Sequence, residues 1–130
     1  MSANLDLVRS IYADWERGDF RRTDWAHPAI EMTMPDTPEG ATPKGLGSIA
    51  DAWRTWLSAW RDYRVTPSEF RVLDNERVLV FGHMSGRGRI SDASGETEFV
   101  NLIQIRDGSV TRLVMYSDRD RALATLGLEE

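Results

Sequence analysis

The chain has 130 residues, 41% hydrophobic and 28% charged, with a net charge of -5 and no cysteine. These values fit one soluble domain, residues 1–130, large enough for a real core, and they exclude disulfides, thiolate metal sites and a cysteine nucleophile. No apolar run is long enough for a membrane span, the start MSANLDLVRSIYADW does not read as a signal peptide, and no basic cluster suits a nucleic acid, so a cytoplasmic protein with neither partner is expected.

In chain order, residues 3–17 read as a helix. Leu5, Val8, Ile11, Tyr12 and Trp15 form one apolar stripe, Asn4 can cap its start, and Gly18 is placed for a left-handed cap at its end. The stretch 19-DFRRTDWAHP-28 suggests a short second helix stopped before Pro28. A short strand follows at 29–35, with Ile30, Met32 and Met34 alternating with Glu31 and Thr33. Residues 35–45 hold three prolines and two glycines and read as a loop, either a cover for a binding site or a plain solvated connection.

The next helix is expected over 46–60, capped by Ser48, with Ile49, Trp53, Trp56, Leu57 and Trp60 on one face. Such a tryptophan stripe is core packing or a ligand box, and both hold if the core encloses a cavity. From residue 63 the period changes to two. Strands are expected near 63–73, 77–90, 96–106 and 109–118, with turns at 74–76, 91–95 and 106–108. Glycines 82, 86 and 88 inside the second of these mark bends, hence a strongly curved sheet. The tail 118–130 reads as a short helix with Asp118 at its N-cap. The order α-α-β-α-β-β-β-β-α predicts an α+β fold: a cone-shaped, curved antiparallel sheet wrapped around helices on one face, with a pocket at its wide end.

Several stretches carry a family resemblance: 15-WERGDF-20, 27-HPAI-30, 53-WRTWLSAWRDYRV-65, 74-DNERVLVFGHMSGRGR-89, 102-LIQIRDGSVTRLVMYSD-118 and 121-RALATLGL-128. In order and spacing they resemble the nuclear transport factor two-like superfamily, in its SnoaL-like and ketosteroid-isomerase-like branch. The resemblance implies a cone-shaped α+β barrel with an apolar pocket, a homodimer through the outer sheet face, and no metal or organic cofactor. This fold hosts many chemistries, so activity has to be argued from the site.

The centre of interest is 98-EFVNLIQIRDGSVTRLVMYSD-118, where Asn101 shares a strand face with Phe99, Ile103 and Ile105. Aligned by the RDG turn, Asn101 falls where ketosteroid isomerases carry an oxyanion-hole aspartic acid. An amide can donate to an oxyanion without a shifted pKa. The alternative is that Asn101 satisfies a buried polar neighbour.

Other parts of that site are missing. Met34 stands at the family's general-base position, and methionine cannot move a proton. Ile11 falls near the family's phenol donor, with Tyr12 turned about 100° away around the helix. His83 could act as acid or base, or be structural. Asp118 could be a base or pair with an arginine, or simply cap the last helix. Arg87 or Arg89 with Asp92 and Asp118 could imitate the Asp-Arg-Asp set of limonene-epoxide hydrolases.

Tyr12, Trp15, Met34, Trp53, Trp56, Phe81, Ile103 and Tyr116 are the candidate lining for a small apolar ligand. Two histidines far apart make a weak case for metal. Three functions compete: an isomerase- or cyclase-type enzyme on an apolar carbonyl compound using Asn101, His83 and Asp118; a non-catalytic binder of a hydrophobic ligand; and a water-adding enzyme of the epoxide hydrolase kind.

Overall fold

A computed structural model describes residues 3–20, 23–33, 45–88 and 94–128. The first helix, α1, spans Ala3–Glu16 and buries Val8, Ile11, Tyr12 and Trp15, the stripe its sequence carries. Gly18 takes φ 81° and its N–H donates to the Trp15 carbonyl, ending the helix as expected. Asn4 does not cap: it lies within α1 and its amide donates to the Asn75 carbonyl at 2.6 Å, pinning the helix to the turn after the second strand.

The described residues of the 19–28 stretch form a turn and then strand β1, Ala26–Thr33, instead of a second helix. Three described helices therefore replace the expected four. The apolar residues Trp25, Ala26 and Ile30 are buried there, and Val110 donates its N–H to the Trp25 carbonyl, so pairing with a distant strand outweighs local helical spacing. Met34 and the 35–44 part of the expected loop lie outside the described residues.

Helix α2 spans Leu46–Ser58. Its N-cap is Gly45, not Ser48. Gly45 adopts φ 85°, ψ 146°, which a side chain would resist, and its N–H donates to the Ile30 carbonyl at 2.7 Å. That bond fixes the start of α2 over β1. The helix stops before Trp60, which opens strand β2, Trp60–Val72. Strands β3 (Arg77–Gly88), β4 (Ser94–Arg106) and β5 (Ser109–Tyr116) follow, then helix α3 (Arg119–Leu126). The turn expected at 74–76 falls there, and that expected at 106–108 is confined to Asp107 and Gly108, both at positive φ, with Arg106 still in β4.

The strands make one five-stranded sheet in the order β1-β5-β4-β3-β2. Its strand pairs are antiparallel except β1 with β5, which is parallel, a non-local pairing that no short-range signal encodes. The sheet bends at Gly82. A Cβ there would sit 2.7 Å from the Phe99 ring and 2.9 Å from Pro67, beside the Thr66 carbonyl, and the β2–β3 register shifts between Pro67 and Glu69.

The two sheet faces carry separate clusters. The inner face joins Val78, Val80, Phe99, Ile103 and Ile105 with α1, Ile49 and Trp25. The outer face joins Leu79, Phe81, Val100, Leu102, Val114 and Tyr116 with Ala122 and Leu123 of α3. The expectation of all helices on one face is thus corrected: α1 and α2 pack inside and α3 outside. Among the described residues, no helix is long and apolar enough to cross a membrane.

Candidate functional site

Among the described residues, Asn101 is the one polar residue in the buried set, 6% exposed, on the inner face of β4. It stands between Val80 of β3 and Met115 of β5. Its Nδ2 donates to the Tyr12 hydroxyl at 2.7 Å. The alignment by the RDG turn puts Ile11 near the phenol position, with Tyr12 turned away. Both residues are buried, but it is Tyr12 that meets the amide.

The Tyr12 ring is held edge-on by Trp15 at 4.8 Å and by Phe70 at 5.9 Å, and stacks with Phe99 at 6.1 Å. Burial raises its pKa above the ordinary tyrosine value of 10.0, partly opposed by the Asn101 bond and reinforced by nearby Tyr63. The phenol is therefore a neutral O–H. The pair holds more donors than its single mutual bond uses. With one amide N–H on the phenol oxygen, the second amide hydrogen and the phenol O–H are left over. With the amide reversed, both amide hydrogens are left over. In either arrangement Asn101, which lines the cavity, keeps at least one amide N–H for an incoming oxygen.

That donor borders a cavity of about 360 Å3 between the inner face and the helices. Trp15 comes from α1, Trp53 and Trp56 from α2, Tyr63 and Val65 from β2, Met84 from β3, and Phe99 with Asn101 from β4. A neighbouring space of about 470 Å3 extends toward Phe20, Trp25, Ile49 and Leu57, sharing Trp15, Met32, Trp53 and Met115 as its wall. The lining is apolar and aromatic with few polar groups, the composition of a small-molecule site. Among its described residues there is no carboxylate and no imidazole.

The sequence-derived candidates separate clearly. Asn101, Trp15, Trp53, Trp56 and Tyr116 border the cavity, although Tyr116 packs with the outer cluster. Tyr12 and Ile103 are buried behind the wall. Phe81 faces outward, with the Arg119 guanidinium at 4.3 Å and that of Arg71 at 4.9 Å over its ring. His83 is exposed on that outer side, opposite Thr66 and Glu98. Asp118 is exposed and caps α3, its Oδ1 accepting from the Arg121 N–H at 3.1 Å.

Arg87 is exposed as well, so the Arg87–Asp118 pair required by the water-adding reading is not in the cavity. Arg89 and Asp92 lie outside the described residues. No group of three or more metal-binding side chains occurs among the described residues.

Sequence reasoning missed Tyr63, Met84, Phe99, Met32 and Met115 as lining. Phe99 was findable, being in phase with Asn101. Met84 was not, because 78-VLVF-81 is apolar on both faces and hides which phase points inward.

The family model described as "SnoaL-like domain" matches residues 8–113. No curated protein matches the chain. Among solved structures, it is similar to a nuclear-transport-factor-two-like protein of unknown function from Burkholderia pseudomallei, with 22% identity over 95% of this chain and 97% of that one, and a TM-score of 0.79. TerC co-crystallised with polyporic acid shares 24% identity over 98% of both chains, with a TM-score of 0.75. A proposed polyketide cyclase from Xanthomonas campestris shares 18% over 94% and 95%, with a TM-score of 0.75. At these identities the likeness is one of fold.

Proposed function

This chain belongs to the SnoaL-like domain family, and from that premise we propose that it is a small-molecule enzyme acting on an apolar carbonyl compound by isomerase- or cyclase-type proton transfer. The observation that carries this reading is the buried Tyr12–Asn101 pair at the edge of an aromatic cavity. A ketone oxygen seated on its spare donor gains a hydrogen bond that strengthens as the carbonyl turns into an enolate. Only interactions that grow toward the transition state accelerate the step. The tryptophans and methionines around it suit a flat hydrophobic body, which on binding would displace water and so increase the value of that bond.

A fold relative was crystallised with polyporic acid and another is a proposed polyketide cyclase, which supports a cyclic, oxygenated ligand class. The non-catalytic alternative has one observation in its favour: the described lining holds donors but no carboxylate or imidazole to take a proton.

Tryptophan fluorescence titration with cyclic aromatic ketones, followed by product analysis and deuterium exchange at the α-carbon, separates the two. Binding with α-exchange that is lost in Asn101→Leu supports the enzyme. Binding without exchange in the wild type supports the binder. Exchange that persists undiminished in Asn101→Leu overturns the role given to the pair.

A further inference from the structure

A second donor faces the same cavity. Tyr63 lines it from β2, and its hydroxyl donates to the Met84 thioether sulfur at 3.0 Å. A thioether is a weak acceptor, so a carbonyl or phenolate oxygen arriving in the cavity outcompetes it. The phenol is supported by Trp56, whose ring meets it edge-on at 6.1 Å, and by Phe20 at 6.0 Å.

The backbone is arranged to aim it. Arg61 pairs with Arg87 and Arg64 with Ser85, leaving Asp62 and Tyr63 as an irregularity between them, and Asp62 takes a left-handed φ of 53°. Such a bulge re-aims a side chain, and here it places Tyr63 in phase with inward-facing Val65. Burial raises the phenol's pKa, partly opposed by a hydrogen bond from Trp56, so it remains a donor at neutral pH.

We infer that Tyr63 is a specificity-determining donor, taking a second oxygen of a ligand whose first oxygen sits on the Tyr12–Asn101 pair. The inference rests on the carbonyl-binding reading above. It narrows the ligand from any apolar ketone to a flat aromatic compound with oxygens on two edges. A monoketone can satisfy the inner pair and leave Tyr63 on Met84. A dione or hydroxyketone engages both.

The test is calorimetric titration with two probes, 1-tetralone and 1,4-naphthoquinone. The chain has no cysteine to form a quinone adduct. Tyr63→Phe is expected to weaken the quinone about tenfold, the value of one net hydrogen bond, and to leave the tetralone constant unchanged. Asn101→Leu is expected to weaken both probes. Met84→Leu removes the competing acceptor but keeps the phenol, and is expected to retain or tighten quinone binding.

Loss of both probes in Asn101→Leu, with Tyr63→Phe changing neither or both equally, overturns the Tyr63 assignment while sparing the inner pair. A Met84→Leu loss as large as that of Tyr63→Phe also overturns it, because packing and not donation would then be responsible. No binding of either probe by the wild type, or no effect of Asn101→Leu, overturns the carbonyl reading itself and the inference with it.

Discussion

Asn101 and Tyr12 are separated by 89 positions in the chain, yet amide nitrogen and phenol oxygen lie 2.7 Å apart in the buried interior. The bond ties α1 to the centre of the sheet. It also answers why an amide sits on an apolar strand face: it is the partner of a phenol from the helix packed against it. Asn101 also lines the cavity, so one contact joins the stability of the fold to the wall of the candidate site.

Truncating one member should cost more than removing both. Tyr12→Phe leaves the buried amide short of its partner and is expected to destabilise the fold by about 1–3 kcal/mol. In Tyr12→Phe/Asn101→Leu the polar requirement disappears from both sides, and part of that loss should return. Urea unfolding of the two singles and the double gives the coupling directly. Additive losses would mean that the two groups do not depend on each other.

The alkaline limb of stability should belong to the tyrosines. The folded state raises the Tyr12 pKa above 10.0 and raises that of Tyr63 as well. A group that holds its proton more tightly when folded contributes stability that is fully present below the unfolded value. It is lost as pH rises through the folded one. Stability should therefore show no tyrosine-linked change near neutral pH and fall above about pH 10, each such group approaching about 1.4 kcal/mol per pH unit. Lys44 is the only lysine among sixteen basic residues, so little else titrates there. Chemical unfolding across this range should give a shallower decline in Tyr12→Phe than in the wild type; an equal slope would place the effect elsewhere.

How much of this was legible follows from which contacts are local. The stripe on α1, the turns at 74–76 and 107–108, the Asp118 cap and the inward phase of Asn101 are each written within a few residues, and each was read correctly. The parallel β1–β5 pairing, the outward seat of α3 and the meeting of Tyr12 with Asn101 depend on partners far along the chain. The doubly apolar 78–81 run gives no sign of which face is inner, so the outward seats of His83 and Phe81 are not legible in the sequence.

Gly82→Ala tests the bend that shapes the cavity. The new methyl would press on the Phe99 ring and on the Thr66–Pro67 backbone, and backbone cannot swing aside. Overpacking of this kind costs about 1–3 kcal/mol. Phe99 both lines the cavity and stacks with Tyr12, so ligand affinity should fall together with the melting temperature. A variant that loses stability but binds normally would show that the bend does not set the cavity's shape.

Asp118 offers the sharpest discrimination between capping and catalysis. Its side chain accepts the Arg121 N–H, and its carbonyl receives that of Ala122, so it starts α3 and holds Ala122 and Leu123 over the outer cluster. Asp118→Ala should cost about 1 kcal/mol of stability, while Asp118→Asn, an equally good N-cap, should restore it. Neither should change ligand affinity or turnover, because the residue is exposed beside α3 and is not among the cavity's described lining. A catalytic base predicts the reverse: asparagine would keep the fold and abolish turnover as fully as alanine. Melting curves and turnover measured on the same three proteins decide between the two roles. His83→Ala, an exposed change on the same outer side, serves as the control and is expected to alter neither quantity.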